Sequence, residues 1–160
     1  MKKHQFLLLL MAGIFFTACN STLPTLSDSQ KLEIEKQVLA QWNKVVLTVQ
    51  KADADSFMTA FSTENFIAMY SGVKPFITRE EYSDSVKAWF IPRLSSELQE
   101  AVVKVKVLTE DLVILDQTSM FLVNLKNNQV TRCNHIVSFI FKKEASGWMI
   151  IHGNESWTNI

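Results

Sequence analysis

The stretch LVILDQTSMFLVNLKNNQVTRCNHIVSFIFKKEASGWMIIHGNESW, residues 112–157, decides the architecture. Three long runs rich in Val, Ile, Leu and Phe are separated by Lys126-Asn127-Asn128 and by Ala145-Ser146-Gly147, turn chemistry in both places. Upstream, Val103, Val105 and Val107 alternate with Lys104 and Lys106, the period of a half-exposed strand, and Thr109-Glu110-Asp111 turns that strand into the next. Four consecutive strands joined by tight turns predict an antiparallel meander.

Before the meander the period changes to that of helices. Ser27 or Asp28 caps a first helix, with Gln30 three residues after Ser27 in capping-box spacing. Ile34, Val38, Leu39, Trp42, Val45, Val46 and Val49 then form one apolar stripe over five to six turns. Asp53 or Asp55 caps a short second helix over Phe57, Met58 and Phe61. A strand over residues 65–72 follows. Thr78-Arg79-Glu80-Glu81 is a capping box whose helix carries Tyr82, Val86, Trp89 and Phe90, with Arg93 at its margin and Pro92 helping to end it. The expectation is an α+β fold: a curved antiparallel sheet with helices on one face, which curls over the long N-terminal helix to leave a cone, with two further helices. A cone of this kind holds an apolar interior and, if incompletely filled, a pocket.

The N-terminus reads as an address. Lys2 and Lys3 precede an apolar run, Phe6 to Phe16, which is shorter than the about 20 residues a membrane span needs. Thr17 and Ala18 directly before Cys19 resemble a bacterial lipobox, although Phe16 stands where Leu is usual; the alternative is a secretory signal cleaved nearby. The expected organisation is a lipoprotein signal peptide over 1–18, a lipidated Cys19 and linker over 19–28, and one domain over 29–160. The expected location is the bacterial cell envelope, lipid-anchored and facing the periplasm or the surface, with membrane contact through the acyl chains only.

Composition excludes several functions. The chain has 16 basic and 16 acidic residues, and losing Lys2 and Lys3 leaves a slight acidic excess, so there is no basic field for nucleic acid. Beyond Cys19 the sole cysteine is Cys133, so no internal disulfide forms, and a lone Cys of this kind is expected buried and inert. There is no Gly-x-Ser-x-Gly elbow, phosphate-cradling glycine loop or His-Glu-x-x-His. With His4 lost in the leader, His135 and His152 have no metal-ligand spacing, and neither a metal nor a cofactor is expected.

Several residues together resemble the nuclear transport factor 2-like superfamily, in particular its SnoaL-like and steroid-isomerase-like bacterial branch. They are the inward Trp42 of a long first helix, the Asp53 and Asp55 start of a short second one, the strand reaching Tyr70-Ser71-Gly72, and the closing Gly147-Trp148-Met149-Ile150-Ile151-His152-Gly153-Asn154-Glu155-Ser156. The resemblance spans about residues 29 to 158 and implies a cone-shaped barrel, commonly a dimer through the outer sheet face. The closing motif often carries a second His, where this chain has Asn154. The same cone hosts isomerases, cyclases, dehydratases and non-catalytic binding modules, so fold alone does not name a function.

By that resemblance Trp148 and Ile150 face inward, and strand alternation then carries His152 and Asn154 to the pocket rim, with Glu155 facing solvent. Cys133, His135, Val137, Phe139 and Phe141 form the bulkier face of their strand and are placed inward; a one-residue slip would bring in Arg132 and Asn134 instead. Trp42, Tyr70, Trp89 and Trp148 suit a pocket for a flat apolar molecule. The reading is a membrane-anchored domain that binds a small apolar ligand or a protein partner without catalysis, as a homodimer through the sheet face. The alternative is an enzyme of the isomerase, cyclase or dehydratase kind using His152 or Asp116 as general base. A third possibility is a structural subunit whose cone Trp42, Trp89 and Trp148 fill.

Overall fold

The computed structural model describes residues 25–160; the stretch expected to be a signal peptide and Cys19, the expected lipidation site, lie outside the described residues. Helix α1, Asp28–Gln50, begins at the predicted capping box: the Gln30 N–H donates to Ser27 Oγ and the Ser27 N–H to Gln30 Oε1. Its stripe of Ile34, Val38, Trp42, Val45, Val46 and Val49 is buried. Helix α2, Ala54–Met58, is capped by Asp53, and α3, Arg79–Phe90, by the reciprocal pair Thr78 and Glu81. Arg79 ties α3 to the end of α2, its Nη2 donating to the Met58 carbonyl at 2.7 Å.

The six strands are β1 Ala68–Ser71, β2 Lys74–Phe76, β3 Arg93–Val107, β4 Leu112–Leu125, β5 Val130–Glu144 and β6 Gly147–Asn159. They form one sheet in the order β2-β1-β6-β5-β4-β3. The meander β3 to β6 is as predicted, and every pairing is antiparallel except β1 with β6, which is parallel. β1 is shorter than residues 65–72, and the three-residue β2 has no sequence signal of its own. β3 starts ten residues before the valine alternation. Register shifts between Arg93 and Ser95 and between Leu98 and Glu100 break its period there and hide it from pattern reading. The α+β cone is borne out: the sheet curls with its concave face over the three helices and one hydrophobic core.

One irregularity decides which side chains enter the cone. Ile140 of β5 pairs with His152, but the next residue, Phe141, pairs with Ile150, so Ile151 is an extra residue in β6. Trp148 and Ile150 face inward before this bulge. Beyond it Gly153, Glu155 and Trp157 take the inner face, and His152, Asn154 and Ser156 the outer one.

Candidate functional site

The cone interior holds a line of polar side chains between α1 and α3, hydrogen-bonded along most of its length. Trp42 Nε1 of α1 donates to Gln117 Oε1 of β4 at 2.6 Å, and Gln117 Nε2 donates to Ser119 Oγ at 3.0 Å. Ser119 Oγ lies 3.5 Å from Nδ1 of His135 on β5 and also donates to the His135 carbonyl. On the far side, His135 Nε2 stands 3.9 Å from Glu155 Oε2 of β6, beyond hydrogen-bond reach. The Tyr82 hydroxyl of α3 donates to Glu155 Oε1 at 3.2 Å. Burial, followed by the charge of Glu155 and its hydrogen bond, raises the Tyr82 phenol well above its usual range, so it remains a donor at neutral pH.

Aromatic rings enclose this line. The His135 ring stacks on Trp157 at 4.0 Å between centroids, and Trp157 meets Trp89 edge-on at 4.5 Å. Tyr82, His135 and Glu155 line a cavity of about 20 Å³, walled by Trp42, Phe57, Trp89, Phe139 and Trp157. That volume admits about one water molecule. The Arg93 guanidinium lies over the Trp89 ring, its Cζ 3.2 Å from the centroid and 5.0 Å from that of Trp157. Burial draws its pKa down to about 10, with Cys133 and Glu155 acting in the opposite direction, and it is charged at neutral pH. Burial likewise raises the Cys133 thiol, and its Sγ contacts Asn159 Oδ1 at 3.2 Å.

Of the residues expected at a pocket, Trp42, Trp89 and His135 stand around this cavity. The bulkier face of β5 points inward, and Arg132 and Asn134 do not. Four others are elsewhere. Trp148 is buried further along β6, its Nε1 donating to Gln37 Oε1 of α1 at 3.2 Å. Tyr70, His152 and Asn154 lie on the outer side of the sheet, where the Tyr70 and His152 rings meet edge-on at 5.9 Å. For His152 and Asn154 the bulge at Ile151 is the physical reason, and the same inversion buries Glu155, expected in solvent, at 8 % exposure. Asp116 is exposed on the outer face between Lys104 and Ser138, so neither base of the enzymatic alternative enters the cone. Tyr82, Glu155 and Trp157 were missed as site residues. Gln117 and Ser119 did leave a signal, being polar at the buried phase of a strand otherwise filled by Val113, Leu115, Phe121 and Val123.

The arrangement can grip a polar group. His135 Nε2 has no hydrogen-bond partner among the described residues, and it faces a carboxylate beside an apolar cavity. A buried imidazole next to a carboxylate either donates to a ligand or accepts its proton. No group of three or more His, Cys, Asp or Glu among the described residues could hold a metal ion, and no described helix is long and apolar enough to cross a membrane.

Residues 36–159 match the family described as SnoaL-like domain. No curated protein matches the chain. Solved structures are similar in fold at low identity. One is a protein of the NTF2-like family from Streptomyces avermitilis, provisionally called a dehydratase: 14 % identity, TM-score 0.66, covering 77 % of this chain and 94 % of that one. The hexachlorocyclohexane dehydrochlorinase LinA-type3 from Novosphingobium barchaimii LL02 gives 13 % identity, TM-score 0.65 and coverages of 84 % and 94 %. A ketosteroid isomerase-like protein from Erwinia carotovora atroseptica SCRI1043 gives 15 %, 0.59, 76 % and 94 %.

Proposed function

This chain belongs to the SnoaL-like domain family, and from that membership and the interior geometry we propose that its cone binds a small, largely apolar molecule beside His135, whose polar group meets the unpartnered atoms around that ring. One observation carries the reading. Five buried side-chain polar atoms lack a partner among the described residues, and three of them belong to side chains gathered around the Trp157 ring: Arg93 Nη1, His135 Nε2 and Trp157 Nε1. Each such atom costs about 1–3 kcal/mol, and a core selected for stability alone would not concentrate them. The cavity of about 20 Å³ is smaller than any organic ligand, so entry requires the half-buried indoles of Trp89 and Trp157 to swing aside.

The test is His135→Phe, which keeps a flat ring against Trp157 and removes the unpartnered nitrogen. If His135 serves a ligand, the urea midpoint of the free protein stays the same or rises while binding is lost. If His135 only completes a structural network, the variant is less stable by about 1–3 kcal/mol.

Two features extend the proposal. Cys19 carries the lipid that holds the domain at the bacterial envelope, with the residues between it and the Ser27 cap as spacer. Two protomers associate through the outer sheet face, where Val102, Thr118 and Ile136 form a row across β3, β4 and β5. A second reading adds proton transfer, favoured by the 3.9 Å approach of Glu155 to His135 Nε2: the imidazole takes a proton from the ligand and the carboxylate stabilises the resulting cation. It predicts that His135→Gln binds ligand without turning it over.

A further inference from the structure

Arg93 is the most demanding side chain in the molecule. It is 7 % exposed, and no carboxylate among the described residues lies within 4.0 Å of it. A guanidinium cannot shed its charge at neutral pH, and a buried charge is tolerated when it is paired. Its π-contacts with Trp89 and Trp157 recover part of the desolvation, yet they leave Nη1 buried with no acceptor. Glu155, whose charge acts on Arg93, has one oxygen engaged by Tyr82 and the other turned toward His135.

The neighbouring unpartnered atoms have the same sense. Trp157 Nε1 is a donor only, and Ser96 Oγ, three residues along β3 from Arg93 and paired with Val123 on the inner face, can donate as well. A cation and two neutral donors, set beside two indole rings, make a region short of acceptors.

We infer that the molecule bound by this cone is an organic anion, a flat apolar body bearing a carboxylate, and that Arg93 holds the carboxylate while Trp89 and Trp157 flank the body. The inference rests on the ligand-binding reading above and adds the charge of the ligand to it. A planar carboxylate matches the guanidinium fork and supplies the acceptors that Nη1, the indole N–H and the Ser96 hydroxyl lack.

The experiment compares 2-naphthoate with its neutral isostere 2-naphthamide by calorimetry on the wild-type chain, Arg93→Lys and Arg93→Gln, with the His135 ring resonances followed by NMR. The expected result is naphthoate binding about tenfold or more tighter than naphthamide to wild type, a margin of about 1.4 kcal/mol or more. The preference should be reduced in Arg93→Lys and nearly abolished in Arg93→Gln. Equal affinity of acid and amide, with the His135 resonances shifting for both, overturns the anion inference and leaves the ligand-binding reading standing. A preference for the acid that Arg93→Gln preserves also overturns it, because the anion then binds elsewhere. Binding of neither probe at millimolar concentration counts against both readings. Should Arg93→Gln fail to fold, the wild-type comparison and Arg93→Lys decide the matter.

Discussion

Gly153 packs directly against the Phe139 ring on the concave face, and it shows how one residue sets the site. A Cβ there would lie 2.2 Å from Phe139 Cδ1, 2.7 Å from Cε1 and 3.0 Å from the Ser138 carbonyl oxygen. Phe139 is fully buried between Trp42 and Phe61, so its ring has no free space to move into. Gly153→Ala is therefore expected to destabilise the domain by about 1–3 kcal/mol in urea unfolding. Tyr82 makes a prediction in pH. Its phenol is raised above the usual value of 10.0, so between that pH and its folded value the native state keeps a proton that the unfolded state has lost. Its contribution to stability is complete below about pH 10 and falls as pH rises, by up to about 1.4 kcal/mol per unit. Tyr82→Phe leaves Glu155 Oε1 without its donor and should be less stable than wild type at pH 7 by about 1–3 kcal/mol. Thermal denaturation from pH 9 to 11 should show that gap closing. Arg93, lowered to about 10, contributes with the opposite sign, but equally in both proteins.

At the scale of elements, regular periodicity was readable and irregularity was not. The 3.6-residue stripe of α1, the capping boxes at Ser27 and Thr78, and the alternation of β4 and β5 all survive because each follows one period throughout. His135 was legible for the same reason. The site's acid was not, because Ile151 adds one residue to β6 and exchanges the faces beyond it, a change that residue types do not announce. Arg93 was hidden by the same effect at the irregular start of β3. The bulge has its own support, since the Ile151 carbonyl accepts from the Ile67 N–H at 2.7 Å and Ile150 exchanges hydrogen bonds with Ala60 and Ser62. Deleting Ile151 is expected to turn Gly153, Glu155 and Trp157 toward the outside and to abolish cooperative folding, read as loss of the near-UV circular dichroism signal. A deletion variant that keeps the native signal would show that the bulge does not set the inner face.

At the scale of the whole molecule, the protein is a cone whose outside and inside suggest different uses. The outer face mixes Asp116, Ser138 and Asn154 with exposed apolar residues such as Val102 and Ile136. The inside combines a well-packed aromatic core with a line of polar groups running from Trp42 to Tyr82. Stability alone accounts for the packing but not for the unpartnered nitrogens of Arg93, His135 and Trp157 in the same region. The most direct test of that argument is native mass spectrometry of the protein isolated gently from the cells that produce it, wild type beside His135→Phe. The account predicts a bound small molecule on the wild type and none on the variant. A bare wild-type protein, or the same adduct on both, would contradict it.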